Sequence, residues 1–323
     1  MATDRNVKNG KSSSNPKNPY MNFARGYRTT AKGSGKKPLP EPIHVGHFIM
    51  MVVIKLCRTV LLVDTSVKIG VYLTGVLVGS VICDLFAFPR SYFSNKGNIL
   101  NQWFVKLGWG WTLSLLLAYI FLTSTVYCCG NWNYIRRHLL RLAVGTFWWY
   151  VCTSLFVRVE TMVGVCTVTT IKDKFACVEA GKSWLGFDIS GHCFLLIHSL
   201  LIINEELKTF RDWSKLGGFL QDEELKDKRK VTEKEISDAQ ISFKLLTPMI
   251  KVNIIAITML ALLWELMLLI SVIYRFHTLP QKVTASFIAV GCWFISYRIL
   301  FRSKVEWLPL QPGESPLSYM KLS

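Results

Sequence analysis

Long apolar runs separated by polar connections dominate this chain. Six of them have about the 20 residues that a helix needs to cross a hydrocarbon core roughly 30 Å thick. They are 67–88, 102–125, 139–158, 188–206, 250–274 and 281–301. Because lipid offers backbone amides no hydrogen-bond partner, such spans must be helical. The pattern predicts an all-α polytopic membrane protein with six transmembrane helices.

A seventh apolar run precedes these six and contains two cations. It extends from Phe48 to Val63, and Lys55 and Arg58 lie three positions apart in it, on one face of a helix. We interpret 46–66 as an amphipathic helix in the membrane interface. The alternative is a true span whose cations snorkel to the surface.

Composition and charge agree with a membrane protein. The 323 residues are 51% hydrophobic and 18% charged, too apolar for an ordinary soluble domain of this size. The tail 1–45 has nine basic and two acidic residues and no aliphatic periodicity, which predicts a disordered basic segment. Nucleic acid is an unsuitable partner, because no base-stacking or metal-finger module follows this tail.

The distribution of Lys and Arg predicts the orientation in the membrane. The connections 89–101, 159–187 and 275–282 carry seven of these residues in total, whereas the other connections and both tails are basic or rich in charge. The positive-inside rule therefore predicts cytosolic termini, including the tail 306–323, around a membrane domain at 67–305. The charged connection 207–249 is then cytosolic too, and an amphipathic helix for a protein partner stays open there.

Two histidines are the candidate catalytic residues. His192 begins the fourth predicted span and His277 follows the fifth. Since consecutive spans cross the membrane in opposite directions, both should lie on the lumenal or extracellular face. One imidazole can attack phosphorus while another protonates the leaving oxygen. The alternative role for each is an amphipathic anchor at the membrane interface.

The residues just before His192 suit a phosphate. Asp188 is a good N-cap, and Ser190 and Gly191 then occupy the first helical turn, where free amides and the helix dipole favour an anion. Ser190 can donate a hydrogen bond to a phosphoryl oxygen, and Gly191 lets the backbone approach the ligand. Asp188, one turn before His192, is placed to orient that imidazole.

Two further features predict contacts. Cys166 and Cys177 lie in the noncytosolic connection 159–187, where an oxidising lumen would let them pair. Glu265 lies inside the fifth run, and two interpretations stay open. It either pairs with one of the two cations of the seventh run or lines a cavity.

Several stretches carry a resemblance to a known family. They read SYFSNKGNILN at 91–101, FVK at 104–106, WGW at 109–111, WYVCTS at 149–154, GFDISGHCFLL at 186–196, YRFH at 274–277 and QKV at 281–283. Together they resemble the fat storage-inducing transmembrane (FIT) proteins over about 67–300. The resemblance implies an endoplasmic reticulum protein of lipid droplet formation, related to the type 2 phosphatidic acid phosphatase superfamily.

The resemblance also implies an activity and roles for the histidines. The family's expected reaction is hydrolysis of the diphosphate of fatty acyl-CoA on the lumenal side, giving acyl 4′-phosphopantetheine and adenosine 3′,5′-bisphosphate. His192 then corresponds to the leaving-group acid and His277 to the nucleophile. We assign no metal ligand and no cofactor.

The chain departs from the wider phosphatase pattern at its phosphate-binding cations. The motif Lys-x6-Arg-Pro is absent, and Ser271 and Gln281 stand where the superfamily has arginine and aspartate. The candidates for phosphate binding are Lys96, Asn98, Lys106 and Arg275. For the three cations among them, the alternative role is snorkelling to the membrane surface. A function of another class also stays open, namely a noncatalytic protein that binds triacylglycerol or diacylglycerol within the bilayer.

Overall fold

A computed structural model describes residues 45–86, 89, 91–95, 97–168, 170–221, 232–274, 276–303 and 305–317. The α-helices in these ranges are α1 (Val45–Leu61), α2 (Thr65–Leu85), α3 (Gly108–Tyr127), α4 (Trp132–Val163), α5 (Lys174–Glu179), α6 (Gly191–Glu206), α7 (Lys208–Arg211), α8 (Trp213–Gln221), α9 (Glu233–Ile273) and α10 (Leu279–Trp293). Strands β1 (Val165–Cys166) and β2 (Trp184–Leu185) pair antiparallel. The predicted basic tail lies outside the described residues, apart from Val45.

The predicted all-α polytopic membrane architecture is confirmed. Within the described ranges, five helices are long and apolar enough to cross a membrane: α2, α3, α4, α9, and α10 with its continuation to Arg302. The fourth predicted run forms α6, which has 16 residues. At 1.5 Å per residue it is about 24 Å long, shorter than the hydrocarbon core. It is short because the chain stays extended until Ser190, the N-cap residue.

Helix α6 is the centre of the bundle. Every residue from Cys193 to Glu206 is buried, and α6 packs against α2, α3, α4, α9 and α10. A helix that is apolar on all sides is stable only when protein or lipid surrounds it, and here protein does. His198, deep in this helix, stacks on Phe194 at 5.4 Å and lies 3.1 Å from the carbonyl oxygen of Gly145. Its role is packing.

The bundle has two polar ends. We call the end at which α6 begins the histidine end, because His192 lies there, and the end at which α6 finishes the opposite end. At the opposite end, Arg141 of α4 donates to both carboxylate oxygens of Glu206, at 2.7 and 2.6 Å. The Tyr297 hydroxyl donates to the same carboxylate at 2.7 Å. Both charged side chains are only 1% exposed.

The C-terminal segment is bound to the opposite end. Arg137 donates to the carbonyl oxygens of Val305 and Leu308, at 3.2 and 3.1 Å. Arg141 donates to that of Leu310 at 2.9 Å. The predicted cytosolic tail is therefore packed on α4 through at least its first part.

Helix α1 is present within the predicted interfacial segment. Its buried side chains, Ile54, Cys57 and Leu61, join the core of the bundle, while Phe48 and Leu56 are exposed. The interfacial position of this helix stays a prediction. Helix α2 then begins at Thr65, two residues before the predicted first span, because Asp64 accepts a hydrogen bond from the Ser66 amide and caps the helix.

Glu265 lines a cavity, as one of the two interpretations predicted. The cavity has a volume of about 470 Å³ and lies between α2 and α9. The Tyr72 hydroxyl donates to Glu265 Oε1 at 2.9 Å, and Lys68 Nζ lies 4.0 Å from the same oxygen. The partner of the carboxylate is thus a cation of α2 rather than one of α1.

A small disulfide-closed subdomain follows α4. Cys166 and Cys177 are bonded, as predicted, and the bond joins β1 to α5, which lies between β1 and β2 in the chain. The indole of Trp184 donates to the Glu160 carbonyl oxygen at 3.1 Å. A Cβ at Gly186 would lie 2.8 Å from that same oxygen, so only glycine fits. This packing fixes where the chain enters α6.

Candidate active site

A cavity of about 140 Å³ lies at the histidine end of the bundle, and both candidate histidines line it. The prediction that His192 and His277 share one face is confirmed. The other lining residues come from the 89–101 connection, from the segment before α6, and from α9 with the residue before His277. They are Phe93, Asn95, Asn98, Asn101, Asp188, Met267, Ile270, Ser271 and Phe276.

His277 is held by Asp188. Its Nδ1 lies 3.1 Å from the Asp188 carbonyl oxygen and 3.5 Å from Asp188 Oδ2. A carbonyl oxygen can only accept, so Nδ1 carries the hydrogen, and the lone pair of the neutral ring is then on Nε2. This is the tautomer that a nucleophilic imidazole needs. The histidine side chain is only 15% exposed.

Asp188 was expected to cap α6 and orient His192, and both expectations are wrong. Ser190 is the N-cap, and its Oγ accepts from the Cys193 amide at 3.4 Å. With two extended residues between Asp188 and α6, the carboxylate cannot lie one helical turn below His192. It reaches the loop after α9 instead, where His277 is.

His192 is held by Asn101, a residue that the sequence analysis did not single out. His192 Nε2 lies 2.7 Å from Asn101 Oδ1, and this amide oxygen accepts the Nε2 hydrogen. The mobile proton of the ring is then on Nδ1. Asn101 belongs to a π-helical turn at Leu100–Val105, a geometry common at functional sites. Its place at the end of the family-like stretch 91–101 was the available signal.

The start of α6 is rigid on one side and open on the other. Ser190 is fully buried, and its amide donates to the Gln281 carbonyl oxygen at 3.3 Å, which joins α6 to the first turn of α10. A Cβ at Gly191 would meet no protein atom within 4 Å. The backbone at Gly191 is therefore accessible to a ligand.

The predicted phosphate-binding residues of the 89–101 connection have different locations. Asn98 lines the cavity, but its side chain donates to the Asn95 carbonyl oxygen at 2.9 Å and accepts from the Asn101 amide at 2.7 Å. Asn98 therefore shapes the loop that presents Asn101. Lys96 lies outside the described residues.

Lys106 was expected inside an apolar helix, and this is wrong. It is exposed, follows the π-helical turn, and donates to Gln102 Oε1 at 2.6 Å, because α3 begins only at Gly108. It is not among the residues that line the cavity. Arg275 lies outside the described residues.

The two positions that depart from the phosphatase pattern also differ in location. Ser271 lines the cavity and donates to the Leu268 carbonyl oxygen at 2.9 Å. Gln281 accepts from the Thr278 amide at 2.9 Å and so caps α10. Both uncharged side chains therefore form hydrogen bonds within their own helix or its cap.

Comparison with known proteins identifies the family. The model of the fat storage-inducing transmembrane (FIT) protein family matches residues 89–170 and 162–297, which include both histidines. The chain belongs to the FIT family. As a FIT protein it is an endoplasmic reticulum membrane protein of lipid storage. No solved structure matches this FIT protein.

Relatives of this FIT protein carry the name acyl-coenzyme A diphosphatase FITM2. The relative from Drosophila melanogaster is 34% identical over 314 residues, covering 93% of this chain and 74% of the relative. The Xenopus laevis relative is 35% identical over 255 residues, or 75% of this chain and 83% of its own length. The human relative is 34% identical over 252 residues, with the same two coverages.

Proposed function

We propose that this protein is a fatty acyl-CoA diphosphatase of the endoplasmic reticulum, with His192 and His277 as its catalytic residues in a domain at 67–305. The relatives' name supplies the substrate class. The observation that carries the proposal is that His192 in the first turn of α6 and His277 in the loop after α9 line one cavity. Each is held through one ring nitrogen by an oxygen acceptor, which sets the role of the other nitrogen.

The proposed reaction begins with His277 neutral and with His192 as the imidazolium, which carries a proton on Nδ1 as well as the one on Nε2. Nε2 of His277 attacks one phosphorus of the diphosphate, and the bond from that phosphorus to the bridging oxygen breaks. The bridging oxygen keeps the electron pair and takes a proton from Nδ1 of His192. The other half of the substrate stays bonded to His277 through the attacked phosphorus. Water then attacks this phosphorus, the phosphorus–nitrogen bond breaks, and Nδ1 of His192 accepts the proton of the water. One diphosphate and one water thus give acyl 4′-phosphopantetheine and adenosine 3′,5′-bisphosphate, with no metal or cofactor assigned to either step.

Substrate binding is proposed for the start of α6 and the flanking loops. The open backbone at Gly191, at the N-terminus of α6, suits a phosphoryl oxygen, while Asp188 and Asn98 keep the surrounding loops in place. Lys96 and Arg275 remain the proposed cations for the diphosphate. Lys106 is the weakest of these proposals, because it is outside the cavity.

The decisive experiment is hydrolysis of oleoyl-CoA by detergent-purified protein, with mass spectrometry of the products. The proposal expects equimolar acyl 4′-phosphopantetheine and adenosine 3′,5′-bisphosphate. Release of free oleate and CoA would instead identify a thioesterase. No turnover by well-folded protein would reject a catalytic function.

We further propose that both termini are cytosolic and that the cavity opens to the lumen. The disulfide supports this orientation, because it lies beside the start of α6 and disulfides persist in oxidising compartments.

Peptide mapping without reduction is expected to recover Cys166 and Cys177 as one linked pair from protein isolated from cells. The thiols should be trapped with an alkylating reagent at lysis, so that oxidation during purification cannot create the bond. Recovery of both cysteines in alkylated form would contradict the lumenal assignment. Cys57, a buried thiol outside the disulfide, provides the internal control for alkylation once the protein is denatured.

Asn101→Leu is expected to reduce kcat about 10- to 100-fold, with little change in KM. Loss of a hydrogen bond to an imidazole that becomes charged costs about 1.5–3 kcal/mol, which corresponds to that factor. The measurement is steady-state hydrolysis of oleoyl-CoA. Asn95→Leu, a change of the same type in the same loop, is the matched control and should have a smaller effect on kcat. Equal kcat values for the two variants would contradict the role of Asn101.

A noncatalytic function is the second candidate, and the cavity of about 470 Å³ between α2 and α9 favours it. Most of its lining residues are apolar, and Tyr72, Lys68 and Glu265 could contact an ester or hydroxyl group of triacylglycerol or diacylglycerol. If the protein only binds lipid, it should still support lipid droplet formation in cells when both histidines are replaced by alanine. The proposed relation to the type 2 phosphatidic acid phosphatase superfamily predicts that this replacement abolishes that support.

A further inference from the structure

A third cavity, of about 450 Å³, lies at the opposite end of the bundle from the two histidines, between α1, the α7–α8 segment and α9. We call it the basic cavity, because three of its lining residues are cations and none of the described lining residues is acidic. Its cations are Lys55 and Arg58 of α1 and Lys251 of α9. The proposed reaction uses none of them.

Arg58 is held in place but incompletely satisfied. One of its terminal nitrogens donates to the Phe210 carbonyl oxygen at 3.2 Å, and its guanidinium lies over the Phe210 ring at 4.6 Å. Its Nε is buried and has no hydrogen-bond partner among the described residues. Buried donors of charged groups are rarely left unpaired, because the loss of water is costly. An acceptor oxygen on a ligand in the basic cavity would complete this group.

Lys55 and Lys251 are the other two cations of the basic cavity. Lys55 precedes Arg58 by three residues and so lies on the same face of α1. Lys251 belongs to α9, across the cavity. A single anionic group that entered between the two helices would be near all three cations. The planar guanidinium of Arg58 suits a phosphate, which it can bind through two N–H groups.

Apart from Ser214 and Thr247, the rest of the wall is apolar and suits an acyl chain. Met50, Met51 and Ile54 form it on α1, and methionine adapts readily to chains of different shape. Trp213 and Phe243 stack at 5.3 Å on the other side, and the indole donates to Thr247 Oγ1 at 3.2 Å. A free phosphate would leave this apolar surface unused.

We propose that the basic cavity binds one anionic phospholipid, with its phosphate between Arg58, Lys55 and Lys251 and an acyl chain along the apolar wall. The lipid comes from the leaflet at the end opposite the histidines. In the orientation proposed above this is the cytosolic leaflet, which is the richer one in anionic lipid.

The test is native mass spectrometry of the detergent-purified full chain, titrated with dioleoylphosphatidylserine or dioleoylphosphatidylcholine. The two lipids have the same acyl chains and differ in net charge. Phosphatidylserine is expected to bind more tightly. Arg58→Gln and Lys251→Gln should each weaken its binding about fivefold, the usual contribution of one cation at an anionic membrane surface. Lys244→Gln, on an exposed position of α9 outside the cavity, is the matched control and should bind like the parent.

Several outcomes would overturn the proposal. Equal affinity for the two lipids would remove the charge argument, and a Lys251→Gln variant that binds like Lys244→Gln would move the lipid elsewhere. Displacement of phosphatidylserine by inorganic phosphate would identify a phosphate site, and displacement by equimolar oleoyl-CoA would identify a coenzyme A thioester site. If Arg58→Gln does not fold, Lys251→Gln decides alone. Because binding is measured without turnover, failure here leaves the diphosphatase proposal unaffected.

Discussion

His277→Ala is expected to abolish hydrolysis of oleoyl-CoA, while the protein stays folded. The variant removes the nucleophile, and the Asp188 side chain, which is 55% exposed, can then be hydrated in place of its contact with His277. His192→Ala is expected to reduce kcat about 10²- to 10⁴-fold, the usual contribution of a positioned acid or base. The measurement is product formation followed by mass spectrometry, with thermal unfolding of each variant beside it.

The double variant tests whether the two histidines serve one reaction. Residues that act as a unit give losses that do not multiply, so the double variant should be no slower than His277→Ala alone. Multiplied losses would indicate two independent contributions. An acid-labile adduct on His277 of the parent, with the mass of one half of the substrate and absent from His277→Ala, would identify the covalent intermediate. A parent that turns over rapidly without any such adduct in a quenched reaction would favour direct attack by water.

Arg141→Ala is expected to lower the free energy of unfolding by about 3–5 kcal/mol, the usual cost of leaving one partner of a buried ion pair uncompensated. The Glu206 carboxylate would keep only the Tyr297 hydroxyl of the contacts described above. Glu206→Ala should be similarly costly, because the guanidinium then stays buried. Thermal unfolding in detergent, followed by tryptophan fluorescence, measures both.

The double substitution Arg141→Met with Glu206→Met supplies the internal comparison. Replacing both charges by apolar groups should recover part of the lost stability, since no ion is then left buried. Lys215→Ala is the control, because the pair of Lys215 with Asp212 is largely exposed on the lysine side, at 58%, and should contribute less than about 1 kcal/mol. Single variants as stable as this control would contradict a structural role for the pair.

Alternation of apolar and polar segments was sufficient to place both histidines at one end of the bundle. It could do so because the direction of each helix follows from connectivity alone. The contacts around each ring were not predictable in this way. Asp188 reaches His277 because the chain stays extended up to Ser190. Asp188 and Ser190 are both suitable N-cap residues, so the sequence does not show at which of them the helix begins.

Asn101 and Lys68 illustrate the same limit for contacts across the fold. Asn101 meets His192 from 91 residues away, and Lys68 meets Glu265 from another helix. Neither pairing leaves a periodic signal in the sequence. The length of α6 was overestimated because the predicted run 188–206 includes the extended residues up to the N-cap Ser190.

The hydrogen bond that attaches the C-terminal segment to Arg141 is missing until that segment has been synthesised. This guanidinium is synthesised early, whereas one of its acceptors, the Leu310 carbonyl oxygen, is made 169 residues later. A nascent or prematurely terminated chain that stops after residue 304 therefore carries a buried donor without that acceptor. Such a product should be short-lived in the cell, and a pulse-chase comparison with the longer chain would measure the difference in half-life.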